Sequence, residues 1–341
     1  MIKHDKKIND LFIKWLFISL ILVFFIIIVG GLTRLTNSGL SITEWELFKG
    51  ILPPINQAAW NIYFNLYKEI PQYKILNQNM NLSDFKVIFY WEYFHRILAR
   101  IIGIFFLIPF LFFYLSKIIN MKYMKNCFLI AFLILLQGVV GWYMVKSGLV
   151  HDITVSHYRL SLHLTLAIII ISIIFWSILN ITNNTFKKFF TLTKKNLLFL
   201  LFFFLILLQI IFGAFVSGLD AGKIYQTWPL MDYSYFPDDI IAKNFKVYFN
   251  FDIHSLVQFY HRNLAYIILI YFLILSFYIF NKKIKRLYKP IFITFFFLLF
   301  QIILGIFTLV SGLNILLASA HQICSVLLVF STINLYYFYI K

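Results

Sequence analysis

Long apolar runs alternate with shorter polar segments along the chain, and eight of the runs reach the roughly 20 residues that a helix needs to cross a bilayer. They lie at about 15–33, 94–116, 127–145, 158–179, 197–217, 259–280, 290–311 and 316–340. The pattern predicts an all-α integral membrane protein with eight transmembrane helices. Of the segments between runs, those at about 35–90 and 218–257 are long, whereas 146–156 and 312–316 are short. The long pair carries Trp45, Pro53, Pro54, Trp60, Trp228, Pro229 and Pro237. That mixture suits interfacial turns and short helices lying over one mouth of a bundle.

Composition agrees with a membrane protein. Hydrophobic residues make up 62% of the 341 positions, charged residues 13%, and 42 positions are Phe, too little polar material to cover a water-soluble domain. A net charge of +17 would suit nucleic acid, but the cations sit in short loops between apolar runs, where the positive-inside bias accounts for them. No nucleic-acid partner is expected. With the N-terminus inside, the inner segments hold Lys3, Lys6, Lys7, Lys14, Lys117, Lys122, Lys125, Lys187, Lys188, Lys194, Lys195, Lys282, Lys283, Lys285, Arg286, Lys289 and Lys341, 17 of the 30 basic residues. Of the 13 acids only Asp5 and Asp10 fall on that side. Both termini are therefore expected inside and the long loops outside. No small-x-small cleavage pattern follows the first run, which reads as a retained helix. Cys127 and Cys324 lie within apolar runs and form no CxxC, so neither a disulfide framework nor a zinc site is expected.

An internal repeat organises the chain. Glu92-Tyr93-Phe94-His95-Arg96 returns as Gln258-Phe259-Tyr260-His261-Arg262. Gln137 to Gly141 with Ser147-Gly148-Leu149 is echoed, at an offset of about 164, by Gln301 to Gly305 with Ser311-Gly312-Leu313. Helix five carries Gln209 to Gly213 with Ser217-Gly218-Leu219, and helix one Gly30-Gly31 with Ser38-Gly39-Leu40. Four helices per half is an even number, so two pseudo-symmetric four-helix bundles, at 1–185 and 186–341, would share an orientation about an axis along the membrane normal. The glycines are expected to let helices approach closely.

His95, His163, His261 and His321 all head even-numbered helices, and all four should lie within about two turns of the outer surface. Imidazoles inside a span are functional candidates by default. A lone histidine could simply hydrogen-bond a neighbouring helix, but two per half at one depth suit the axial positions of haem iron. Zinc or copper would need tighter clusters. His4, His151, His157 and His254 are expected on the surface or in loops. Arg96 and Arg262 follow the ligands directly, where a guanidinium can snorkel to headgroups or pair with haem propionates. Glu92 shares a helical face with His95, whereas the corresponding position in the second half is Gln258. Oxidation chemistry needs a proton-transfer group near the reacting atom, so the acid marks the first half as the place of chemistry unless it only pairs with Arg96.

These residues resemble the heme A synthase family, membrane oxygenases of cytochrome oxidase assembly. The resemblance covers nearly the whole chain. It rests on Gly30 to Thr36 with Ser38-Gly39-Leu40-Ser41, Glu92 to Arg96, Tyr158-Arg159-Leu160 through His163, Gly213 to Gly222 with Thr227 to Met231, His261-Arg262, and His321-Gln322. Thr43-Glu44-Trp45 and Pro53-Pro54 are similar to the alphaproteobacterial and mitochondrial branch, and the paired loop cysteines of some bacterial members are missing. The resemblance implies oxidation of a ring methyl of heme O to a formyl group by successive hydroxylations, using oxygen and external electrons. It implies a resident haem b on His261 and His321, and substrate heme O in the first half on His95 and His163, with Glu92 at the chemistry. A bacterial inner membrane, haem sites toward the periplasm, heme O synthase and an electron donor as partners follow from the same resemblance. Whether the chain forms a homo-oligomer is not set by the sequence. Read from the residues alone, a di-haem b-type carrier linked to quinol stays open, as does a haem transporter or chaperone, although no broken-helix pattern supports the latter.

Overall fold

The computed structural model describes residues 6–44, 49–149, 153–190, 193–240 and 245–340. Within them run ten α-helices: α1 (Lys6–Leu35), α2 (Gln57–Lys68), α3 (Pro71–Leu76), α4 (Leu82–Leu115), α5 (Met121–Gly148), α6 (His157–Thr182), α7 (Lys194–Gly218), α8 (His254–Asn281), α9 (Tyr288–Val310) and α10 (Ile315–Tyr339). All but α2 and α3 are long and apolar enough to cross a membrane. A span made of helix satisfies every backbone N–H and C=O within itself, the condition that hydrocarbon imposes. Phe277, Phe296, Ile104 and Ile108 are more than half exposed, a surface that belongs in lipid rather than water.

Five of the ten helices begin on a polar side chain that caps them, Asn56 among them at α2. Asn81 and Asp84 form a reciprocal capping box at the start of α4, and Asn120, Thr193 and Asn314 cap α5, α7 and α10. The box at Asn81 explains why α4 starts about three turns before the apolar run near 94. Its added N-terminal segment carries Phe85, Ile88 and Phe89, which are buried.

Packing repeats between the two halves of the chain. In the first, α1 packs on α4 and α6, α4 on α5, and α5 on α6; in the second, α7 packs on α8 and α10, α8 on α9, and α9 on α10. Contacts of α6 with α7, and of α10 with α1 and α6, join the two sets. Consequently α6 is the most enclosed span, with 67% of its apolar window buried.

The long segment after α1 folds over the bundle as a small core of its own. In α2 the residues Trp60, Phe64 and Tyr67 share one face and close on Phe85 and Phe89, with ring centroids 5.0 Å apart for Trp60–Phe89 and 5.1 Å for Phe64–Phe85. Trp45 lies outside the described residues. At the opposite end, Lys187 Nζ donates to the carbonyls of Tyr337 (3.0 Å) and Ile340 (2.5 Å), and Arg286 Nη2 to that of Tyr339 (2.7 Å). Loop cations there satisfy the last carbonyls of α10, where cations suit the helix dipole.

Candidate functional site

Each of the four histidines sits against a glycine of the helix before it among the spans. A Cβ built on Gly30 of α1 would lie 3.1 Å from His95 Cε1 of α4; the corresponding distances are 3.0 Å for Gly141 of α5 and His163 of α6, 3.2 Å for Gly213 of α7 and His261 of α8, and 2.9 Å for Gly305 of α9 and His321 of α10. Contacts this short exclude any larger residue unless the ring moves. Every one of these glycines lies within about two turns of the C-terminal end of its helix. His163, His261 and His321 lie about two turns from the start of theirs, and His95 is further along only because α4 begins early. The expected close approach at these glycines is thus a helix receiving an imidazole.

Glutamines complete three of the seats, four residues before the glycine. Gln137 Nε2 donates to His163 O and Gln209 Nε2 to His261 O, both at 3.0 Å. In α9, Gln301 Nε2 lies 3.2 Å from His321 Nε2, and His321 Nδ1 lies 3.1 Å from Gln301 O. Sequence reasoning noted these glutamines as marks of the repeat without giving them a role. The usable signal was their spacing from a glycine at histidine depth. Helix α1 has Ile26 at that position.

The histidines are half-buried, and among the described residues Nδ1 of His95, His163 and His261 and Oε1 of Gln137, Gln209 and Gln301 are enclosed without a hydrogen-bond partner. Polar atoms left so inside an apolar bundle are costly. His261 and His321 have ring centroids 6.5 Å apart, at 79° to each other. Two metal–nitrogen bonds of about 2 Å plus the two ring radii come to about 6 Å, so this pair fits the two axial positions of a haem iron. Among the described residues no three His, Cys, Asp or Glu side chains converge; the donors come in pairs.

Glu92 is buried and uses both oxygens. Oε2 accepts from Ser41 Oγ (2.7 Å) and Ile42 N (2.8 Å), and Oε1 from Arg96 Nε (3.1 Å) and Nη2 (2.5 Å). Arg96 Nη2 also donates to Ile42 O at 2.9 Å. In the second half Gln258 Nε2 donates to Tyr225 O at 2.8 Å, and Arg262 to the carbonyls of Tyr225, Thr227 and Leu230 at 2.9, 2.9 and 3.2 Å. Each half therefore straps a loop backbone onto the turn that carries its histidine. The strap contains an anion in one half and an amide in the other. Tyr225 itself donates to Asp239 Oδ1 (2.9 Å), and burial, reinforced by that carboxylate, pushes its phenol above the ordinary value.

His157 departs from the surface or loop position expected for it. As the first residue of α6 it is buried, with its ring edge-on to Phe215 (5.3 Å) and its Cβ 2.6 Å from a Cβ built on Gly218. The cause is the α6–α7 contact between halves, which local sequence does not announce. His254 is exposed, as expected, at the start of α8; His4 and His151 lie outside the described residues. Arg159, four residues before His163, stacks on Tyr143 at 4.2 Å.

Comparison with known proteins covers the whole of this architecture. A family described as Cytochrome oxidase assembly protein matches residues 13–333. The heme A synthase of Pelagibacter ubique is 50% identical over 327 residues, covering 95% of this chain and 96% of that protein. That of Parvibaculum lavamentivorans is 43% identical over 257 residues, 75% of this chain and 74% of its own; that of Rickettsia canadensis is 39% identical over 338 residues, 98% of each. Matched from α1 to α10, with every histidine seat inside the matched range, the chain belongs to the cytochrome oxidase assembly protein family.

Proposed function

We propose that this protein is a heme A synthase-type oxidoreductase, converting the ring methyl of heme O to the formyl group of heme A with oxygen and external electrons. The observation that carries the reading is the set of four imidazoles seated on glycines at one register, two per half, with enclosed polar atoms around them. Relatives named heme A synthase align over nearly the full length. A resident haem b held by His261 and His321 fits their 6.5 Å separation, and heme O would be taken by His95 and His163 in the half formed by residues 1–185. The iron porphyrin supplies the redox chemistry when bound.

The side chains have separate jobs in this scheme. Glu92, one turn from His95 on the same face, is the proton-transfer group, and Gln258 in the half formed by 186–341 cannot do that work. Arg262 keeps an enclosed Nε–H without a partner among the described residues, a donor suited to a haem propionate; Arg96 would share its guanidinium between Glu92 and the same task in the first half. The cationic loops support an orientation with both termini on the cytoplasmic side and the histidines on the periplasmic side, in a bacterial inner membrane. Heme O would come from the enzyme that makes it, and electrons from a separate donor.

Expression with a heme O source followed by pigment extraction tests the activity. Hydroxylated heme O or heme A should accumulate under air; folded, haem-loaded protein that yields neither would sink the reading and favour a di-haem carrier. Glu92→Gln keeps an oxygen for Ser41 and Ile42 but removes the charge. It should lower thermal stability by breaking the buried pair with Arg96 and lower turnover per folded, haem-loaded molecule by about 10²-fold or more, whereas a pure strut would lose turnover only in proportion to folded protein. His261→Ala and His321→Ala should lose the resident haem, and His95→Ala and His163→Ala should lose turnover while retaining it; equal haem loss from all four would count against unequal sites.

A further inference from the structure

The two halves differ in where an uncommitted cation lies. In the second, Arg262 bonds only carbonyls, those of Tyr225, Thr227 and Leu230, and its enclosed Nε–H has no partner among the described residues. Its counterpart in the first half, Arg96, is already engaged: Nε and Nη2 donate to Glu92, and Nη1 to Glu44 O at 3.4 Å. The Glu92 carboxylate meets its charge. A second carboxylate brought into the first half therefore finds less at Arg96 than it would at Arg262.

Arg159 makes up the difference. It stands one turn before His163 in α6, on the same face, with its guanidinium 4.2 Å over the ring of Tyr143. Tyr143 is two residues beyond Gly141, the glycine that seats His163. Among the described residues Nη1 of Arg159 is enclosed without a hydrogen-bond partner, and no acid pairs with the guanidinium. As the third residue of α6 it also faces the end of a helix dipole that disfavours a cation. At the corresponding places in the second half stand Leu317, four residues before His321, and Phe307, two after Gly305. A planar cation with an unused N–H, laid on an aromatic ring beside one haem ligand and absent beside its counterpart, is suited to a carboxylate. Axial imidazoles leave a macrocycle free to rotate about its iron axis, and a cation gripping the carboxylate edge removes that freedom, which a site that oxidises one ring methyl requires. Resting on the haem reading above, we propose that Arg159 is a substrate-binding residue of the first half that holds a propionate of heme O.

Haemin and its dimethyl ester, which masks both propionates, are the probes. Protein purified in detergent with its resident haem, from cells that make no heme O, is titrated with each, and dissociation constants are read from the Soret band. His163→Ala defines the uptake that does not use the first-half ligand. Arg159→Gln should weaken haemin by about tenfold to hundredfold, as the loss of charge-assisted hydrogen bonds does, and leave the ester unchanged. Resident haem per polypeptide should stay at the wild-type value, which reports an intact fold. Arg159→Lys, a point charge in place of the fork, should give a smaller loss, again confined to the acid, and it decides the matter if the glutamine variant does not fold. An arginine that only braces the helix would weaken acid and ester alike. That result, or equal haemin binding by wild type and Arg159→Gln, overturns the inference while the oxygenase reading stands. Wild-type protein that takes up no more haemin than His163→Ala overturns the heme site of the first half and this inference with it.

Discussion

A histidine whose ring rests on a glycine has its position set by what the glycine lacks. Gly305→Ala would put a methyl 2.9 Å from His321 Cε1, and overpacking of this kind costs about 1–3 kcal/mol. The helix itself gains up to about 1 kcal/mol from the same change, so the net effect falls on the ring and not on the helix. The expected outcome is a folded protein with reduced haem, measured as haem per polypeptide after purification. Gly103 and Gly138 have no neighbouring atom within 4 Å of a built Cβ, and Gly103→Ala or Gly138→Ala should leave haem content at the wild-type value. The four ligand candidates were legible in the sequence because imidazoles are rare at that depth. Their seats were not, because a glycine in a span reads equally well as a place where two backbones touch. Glu92 stood out through its contrast with Gln258. Its bonds to Ser41 and Ile42 did not, since they depend on how the loop closes.

At the level of single elements, the eight spans were legible from hydropathy alone, as each follows directly from the lipid's demand for internally paired backbone. Helix starts were less so. The hydropathy run marks the lipid-crossing part of α4, while the Asn81 box and the Phe85–Phe89 turn lie in the polar stretch ahead of it. The cap over the first half hangs on that extension. Trp60 is 5% exposed and meets Phe89 and Tyr90 at 5.0 and 5.5 Å, so Trp60→Ala should cost about 3–5 kcal/mol. The loss should be local. Hydrogen exchange at 57–76 is expected to accelerate, with the spans of the second half unchanged.

For the molecule as a whole, the joint between halves is where sequence reasoning had least to offer, because none of its partners are near in the chain. Gln322 of α10 donates to Ile27 O of α1 at 2.9 Å, with its amide lying where a Cβ on Gly31 would be. Arg34 of α1 donates to the carbonyls of Ser217 (2.6 Å) and Gly218 (3.2 Å) and pairs with Asp220 at 3.2 Å. Gly218→Ala would set a methyl 2.8 Å from the His157 backbone, and backbone cannot step aside as a side chain can. Thermal unfolding in detergent should show a loss of about 1–3 kcal/mol or more, with little recovery in a His157→Ala background since the Cα remains. The strap beside His95, Glu92 with Arg96, and the joint between halves, Arg34 with Asp220, hold by charge, whereas each imidazole rests on its glycine by contact with carbon. Added salt screens the first kind of force, chiefly where water reaches it as at Asp220, and leaves the second untouched. Rising ionic strength should therefore loosen the loop end of the molecule while the imidazoles keep their spacing, making access to the site, rather than the geometry of the ligands, the property that responds to the solution outside.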